Sequence, residues 1–292
     1  MKTYLVTGAT RGLGLAIAKS LQRTDKVIVA VRDVAKARAL GFQDVHSLNL
    51  ASLSDVQRFV GTWSTPITGL INNAGIQHID QTRITAEGLE ETFAVNHLGS
   101  HALTLGLLPV VKDTVLFVGS GTQALHSMGF RGARYTSIEA LARGDTDAPD
   151  IKQAGLDRYA TTKFLNTISA LGLSARHPDK TFLCIDPGLM PGTGLARSYS
   201  LPMRIVWSSV MRLAVPFMAD TSSPARSAAT VAWLLHEKGL KNGATYSYTR
   251  ELAKAKWLAP GATDPVLAEK ILADTDAFLE SQARVDQRLR RS

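Results

Sequence analysis

Short apolar runs recur through the first two thirds of the chain, at residues 4–7, 27–31, 45–48, 70–72, 115–118 and 182–185. Each is too short for a helix. Between them, apolar side chains fall at helical spacing, as in Leu13, Ile17 and Leu21, or Val56, Phe59 and Val60. A strand buried on both faces reads as a continuous apolar run, and a helix covering it reads with a period of three to four. The alternation therefore predicts an α/β fold, a parallel sheet layered between helices.

Punctuation sharpens the elements. Ser52-Leu53-Ser54-Asp55 has the form of a capping box opening the third helix, and Asp33 is placed to cap a helix from Val34. Later elements are expected as a helix over 224–236, a strand near 244–248 and a helix over about 265–284. Two stretches break the rhythm. Residues 121–155 form a long polar connection after the fifth strand, and 189–220 follow the sixth, with prolines at 187, 191, 202 and 216 nearby. Both leave the carboxyl ends of strands, where open α/β sheets bind ligands. They are expected to border a substrate. With no break in composition, residues 1–292 are expected to form one domain, with an insertion at about 121–155, a substrate-loop or lid region at about 189–220 and a helical extension at about 262–292.

Composition changes this picture little. The 292 residues are 45% hydrophobic and 20% charged, enough to bury a sizeable core, and the single cysteine excludes an internal disulfide. The net charge is +8, but Lys and Arg are scattered except at Arg284, Arg288, Arg290 and Arg291. A solvated tail is expected there, and no nucleic-acid partner. The first apolar stretch is too short for a signal peptide, and no run reaches the roughly 18 residues of a membrane span. The expected location is cytoplasmic.

The chemistry begins at Thr7-Gly8-Ala9-Thr10-Arg11-Gly12-Leu13-Gly14, between the first strand and the first helix. A pyrophosphate needs backbone N–H donors, a positive helix end and no obstructing side chains, and Gly8, Gly12 and Gly14 meet the last requirement. The second strand ends at Val31-Arg32-Asp33. A site for an unphosphorylated ribose usually places an acid here. Arg32, with Arg11, suits a 2′-phosphate instead. Asp33 as a ribose-binding acid stays open as the alternative. Tyr159 and Lys163 lie four apart on a helix, so phenol and ammonium share a face. A nearby cation favours the phenolate over its ordinary pKa of about 10.

These motifs do not stand alone. The glycine loop, Asn72-Asn73-Ala74-Gly75, Asn96, Ser120, the Tyr159–Lys163 pair and Asp186-Pro187-Gly188 occur in one order. In that order the chain resembles the short-chain dehydrogenase/reductase family over about residues 1–250. The resemblance implies a Rossmann-like three-layer fold with a central parallel sheet of about seven strands. It implies NADP(H) as cofactor, held by Gly8, Thr10, Arg11, Gly12, Leu13, Gly14, Arg32, Asn49, Leu50, Asn73, Ala74, Gly75, Tyr159, Lys163, Pro187, Gly188 and Thr193. It implies Asn96, Ser120, Tyr159 and Lys163 as the catalytic set. Tyr159 passes the proton, Lys163 tunes it and touches the ribose, Ser120 polarises a carbonyl, and Asn96 holds a water leading from Lys163. Three departures stand out. Asn49 replaces the family's usual aspartate near the adenine, Thr193 falls one place late after Pro187, and Ser120 and Tyr159 are 39 residues apart. That long insertion resembles the retinol dehydrogenase and protochlorophyllide reductase-like branch, which favours NADP(H).

The apolar stretch 203–218 carries two arginines among Met, Trp, Val and Leu. It reads as a lid over a bulky apolar substrate, as a helix packed on the core or a subunit, or as a membrane-surface helix that would give peripheral membrane contact; the lid is preferred. His97 and His101 lack an acidic or cysteine partner in the sequence pattern, and no metal is expected. The expected activity is NADPH-dependent reduction of a ketone, aldehyde or quinone, a ketoreductase reaction, or the reverse alcohol oxidation. The alternatives are a light-dependent double-bond reductase and a non-catalytic NADP-binding regulator. Either a homo-oligomer or a monomer is compatible.

Overall fold

The computed structural model describes residues 1–126, 129–190 and 221–289. The strands are β1 Thr3–Thr7, β2 Lys26–Val31, β3 Asp44–Ser47, β4 Ile67–Asn72, β5 Val111–Val118, β6 Thr181–Asp186 and β7 Thr245–Ser247. The helices are α1 Gly12–Leu21, α2 Val34–Ala39, α3 Leu53–Gly61, α4 Glu91–Phe93, α5 Gly99–Leu107, α6 Ile138–Arg143, α7 Ile151–Arg176, α8 Pro224–His236 and α9 Pro265–Leu289. A π turn, Ala94–Leu98, joins α4 to α5. The seven strands are ordered β3-β2-β1-β4-β5-β6-β7 and pair parallel throughout.

Side chains alternate across this sheet, so each strand feeds two cores. On one face Val6, Val29, Ile71, Leu116 and Leu183 pack with Ile17 of α1 and Val231 of α8. On the other, Leu5, Ile28, Leu70, Phe117 and Phe182 pack with Val56 of α3, Leu103 of α5 and Leu173 of α7. A fully buried side chain of this size stabilises by roughly 1.5–3 kcal/mol. That is why strands only three to eight residues long stay in register. The order in which strands are added across the sheet reverses between β1 and β4. The carboxyl ends of these two strands open the crevice in which such sheets bind ligands.

Helix starts follow the sequence signals. Asp33 accepts from the Lys36 amide at 2.9 Å, and Ser52 accepts from the Asp55 amide at 3.2 Å. The second half of the capping box is rewired. Asp55 reaches the Asn49 amide instead, and Glu87, 35 residues from Ser52, accepts from the Leu53 and Ser54 amides.

The insertion after β5 is shorter than the sequence suggests. It contains α6, and α7 begins at Ile151, capped by Asp150, whose side chain accepts from the Gln153 amide at 2.8 Å. Gly155 therefore lies inside the helix. A Cβ there would sit 2.0 Å from the His78 carbonyl oxygen, so its glycine serves close packing and not a chain break. Tyr159 accordingly stands beyond the second turn of α7.

α9 lies along α5 and α7. Arg176 of α7 bridges Glu269 at 2.8 Å and Asp276 at 2.6 Å, and His101 meets Asp276 at 2.9 Å. His97 is buried against Thr275. Burial, with the neighbouring His101 ring second, holds the His97 imidazole well below the usual histidine range. Among the described residues no helix is long and apolar enough to cross a membrane.

Candidate active site

A cleft of about 670 Å³ runs along the carboxyl ends of the strands, within the usual span of about 300–1,000 Å³ for small-molecule sites. At one end stands the amino terminus of α1. Arg11 occupies the cap position in an extended conformation with no side-chain cap, and the first turn carries no acid, so amides and helix dipole present positive charge to the cleft. Gly8 turns with φ of 68°, and a Cβ on Gly14 would fall 2.2 Å from the Asn73 amide nitrogen. Asn73 itself ties the loops together, donating to the Thr7 carbonyl at 2.9 Å, while Thr7 Oγ1 accepts from the Asn73 and Ala74 amides. The glycine loop and the β4 loop are thus one rigid unit.

Arg11 and Arg32 come together at the rim. Partial burial, and then the nearby Arg32 guanidinium, lower the Arg11 pKa. Two cations held this close suit an anion between them. Lys36 lines the same rim. Asp33 faces the cleft too, but one carboxylate oxygen is engaged as the α2 cap.

At the other end Tyr159 and Lys163 of α7 meet Ser120, which follows β5, and Pro187 and Gly188, which follow β6. The Lys163 ammonium lies 5.5 Å from the Tyr159 ring centroid and donates to the Val118 carbonyl at 2.9 Å. Only 4% exposed, Lys163 has its pKa pushed down to about 8 by burial. Ser120 Oγ accepts from the Thr122 amide at 3.3 Å and its hydroxyl at 3.1 Å, which fixes the serine over the short turn that follows. Asp186 accepts from the Gly188 amide at 3.1 Å and holds the Pro-Gly turn.

Of the residues singled out from sequence, Gly8, Thr10, Arg11, Gly12, Leu13, Gly14, Arg32, Asn49, Leu50, Asn73, Ala74, Gly75, Ser120, Tyr159, Lys163, Pro187 and Gly188 all line this cleft. Asn96 stands behind it, in the π turn. Its amide oxygen accepts from the Ile76 N–H at 2.8 Å, and its amide nitrogen donates to the Ile76 carbonyl and to Thr162 Oγ1. That pairing locks the β4 loop to α7 beside Lys163. Its backbone carbonyl accepts from Ser100 at 3.1 Å. Asn49 lines the cleft with its side-chain oxygen turned to the Ala51 amide at 3.2 Å. Thr193 and the stretch 203–218 lie outside the described residues.

Several lining residues carry no signal in the sequence. Phe130 comes from the insertion, and Tyr248, Leu252, Lys254 and Trp257 follow β7. Only the pairing of β7 beside β6, Asp186 opposite Ser247, brings that last segment to the cleft. Lys36 could have been found, because it stands three residues after the Asp33 cap.

A family model described as short chain dehydrogenase matches residues 2–130. The chain is 30% identical to a protochlorophyllide reductase of Avena sativa, across 91% of this chain and 96% of that protein. A solved structure from Mycobacterium Paratuberculosis matches with a TM-score of 0.69 and 25% identity, over 96% of this chain and 94% of that one. A short chain dehydrogenase from Escherichia coli CFT073, crystallised with NADPH, matches with a TM-score of 0.58 at 21% identity, over 85% of this chain and 96% of that one. That last likeness concerns the fold.

Proposed function

The chain belongs to the short-chain dehydrogenase/reductase family of oxidoreductases, in its protochlorophyllide reductase-like branch, and from that premise we propose that it reduces a carbonyl on a bulky apolar substrate with NADPH, or oxidises the corresponding alcohol. One observation carries the reading. The buried Lys163 ammonium, the Tyr159 phenol and the Ser120 hydroxyl share a single cleft with the uncapped α1 terminus and the facing Arg11 and Arg32.

The residues fit a phosphorylated dinucleotide. Its pyrophosphate would rest on the α1 amides, and its 2′-phosphate between Arg11 and Arg32, with Lys36 at hand. Asn73, Ala74 and Gly75 would line its middle, and Pro187 and Gly188 its far end. NADPH, when bound, supplies the hydride. The protein handles the proton. Tyr159 donates it to the substrate oxygen, and Ser120 hydrogen-bonds that oxygen as negative charge develops on it. Lys163 holds a cation near the phenol and reaches the ribose. Asn96 fixes the loop that packs beside Lys163 and would hold the water connecting that lysine onward.

A second reading is favoured by the likeness to protochlorophyllide reductase, namely reduction of a tetrapyrrole double bond in light. Cys184, the chain's one cysteine, argues against a thiol proton donor in such a reaction. It is fully buried, and burial pushes its thiol up to about 11. NADPH oxidation measured across bulky ketones, aldehydes, quinones and a tetrapyrrole, in darkness and in light, separates the two. Tyr159→Phe should lower carbonyl reduction by about 10²- to 10⁴-fold while NADPH binding survives. A Tyr159→Phe protein that reduces carbonyls at the normal rate would remove the proposal.

A further inference from the structure

Two consecutive residues of α7, Asp157 and Arg158, immediately precede Tyr159, and each anchors the insertion between β5 and α7. Asp157 is 2% exposed and accepts from Arg131 Nε at 3.4 Å, from Arg131 Nη2 and from Gln153 Nε2 at 2.7 Å. Arg158 is 3% exposed, lies 3.5 Å from Glu90 and donates to the Gly144 carbonyl at 3.5 Å, just past the end of α6. A carboxylate buried as deeply as Asp157 requires a paired cation. The Arg131 fork supplies one in bidentate form. The strap is tied twice more, by the Arg134 amide to Thr161 Oγ1 at 2.8 Å and the Ala133 amide to the Gln123 carbonyl at 2.7 Å.

Gly129 and Gly132, at φ of 87° and 76°, bracket Phe130 and Arg131 and let the chain turn sharply on both sides. Arg131 is thereby placed on Asp157, while Phe130 lines the cleft with its ring centroid 6.5 Å from that of Tyr159. We infer that Phe130 is a specificity-determining wall of the substrate site, and that the Arg131–Asp157 pair is a positioning latch holding it beside the proton donor. This rests on Tyr159 being that donor. Trp257, packed against Gly121, and Tyr248 line the same cleft. An aromatic wall beside the reacting oxygen favours a flat, multi-ring substrate. One ring pair contributes about three- to tenfold in binding beyond the area it buries. A small aliphatic carbonyl can reach Tyr159 without touching the wall.

The test uses the full chain saturated with NADPH, with phenanthrenequinone as the flat probe and propanal as the small one. Phe130→Ala should raise KM for phenanthrenequinone about three- to tenfold, and its Kd by tryptophan quenching likewise, with a smaller rise in KM for propanal and Kd for NADPH unchanged. Arg131→Ala should do the same, Arg131→Lys should restore part of the loss, and the double variant should be no worse than Phe130→Ala, because the latch acts through the ring. Hydrogen exchange reports the latch without turnover, and the Ala133 and Arg134 amides should exchange at least about tenfold faster in Arg131→Ala. Unchanged exchange would overturn the latch. Equal losses on both probes, additive losses, or no binding of phenanthrenequinone would overturn the wall. A protein that binds phenanthrenequinone with Phe130 dependence but reduces neither probe would sink the Tyr159 mechanism, and with it the latch's role beside a proton donor, and leave Phe130 as a binding surface only.

Discussion

Replacing Lys163 with methionine should make the cofactor-free protein more stable and leave it nearly inactive. The lysine is 4% exposed, and burial lowers its pKa from 10.5 to about 8. At about 1.4 kcal/mol per tenfold, that fall corresponds to roughly 3 kcal/mol lost by holding the ammonium in the fold. Methionine keeps most of the volume and carries no charge. The variant gives up the hydrogen bond to the Val118 carbonyl, which still accepts from Asn166 at 3.0 Å, and the contact over the Tyr159 ring. Together these amount to about 1–2 kcal/mol. The net gain is about 1–2 kcal/mol, or a few degrees in Tm. The pH dependence fixes the cause. Below about pH 8 the lysine is protonated in both folded and unfolded chains, and the full burial cost is present. Between about 8 and 10.5 only the unfolded chain keeps its proton, so wild-type stability rises with pH and the variant's advantage shrinks. Above 10.5 the advantage is gone. Urea unfolding of both proteins at pH 7 and pH 10.5, without cofactor, measures the difference. A Lys163→Met protein less stable than wild type at pH 7, or an advantage that grows with pH, would refute the reasoning.

The remaining expectations are briefer. Arg32→Ala should weaken NADPH binding by roughly one to two decades, at about 1.5–3 kcal/mol for a charge-assisted hydrogen bond, and barely alter NADH binding; titration with both cofactors decides it. Gly14→Ala places a Cβ 2.2 Å from Asn73 and 2.5 Å from the Gly8 carbonyl oxygen. It should destabilise by about 1–3 kcal/mol and abolish cofactor binding, seen by urea unfolding and cofactor fluorescence. Cys184, whose thiol burial raises to about 11, should resist an aromatic disulfide reagent at pH 8 until urea unfolds the chain.

The alternation of apolar runs and helical stretches was enough to predict the layered parallel sheet. The reason is local: a strand covered on both faces must be apolar at every position, and that leaves a visible run. Helix starts at Asp33 and Ser52 were legible because a cap reaches only three residues along the chain. The glycine loop and the Tyr159–Lys163 pair were legible for the same reason, since each acts through spacing within one element or one turn, whereas Ser120 was singled out only through the family resemblance. Strand order, the depth of the Lys163 ammonium and the company of Tyr159 were not legible. The connection after β5 read as running to 155, although α7 starts at Ile151, and the reason for Gly155 was hidden because its partner, the His78 carbonyl, is 77 residues away in sequence and 2.0 Å from where a Cβ would stand. Phe130, Tyr248 and Trp257 carry no periodic signal, and reach the cleft only because β7 pairs with β6 and Arg131 pairs with Asp157. Short-range hydrogen bonding and burial period are written along the chain. Contacts between distant segments depend on how the layers close, and only the folded chain decides which charges are buried and which rings face Tyr159.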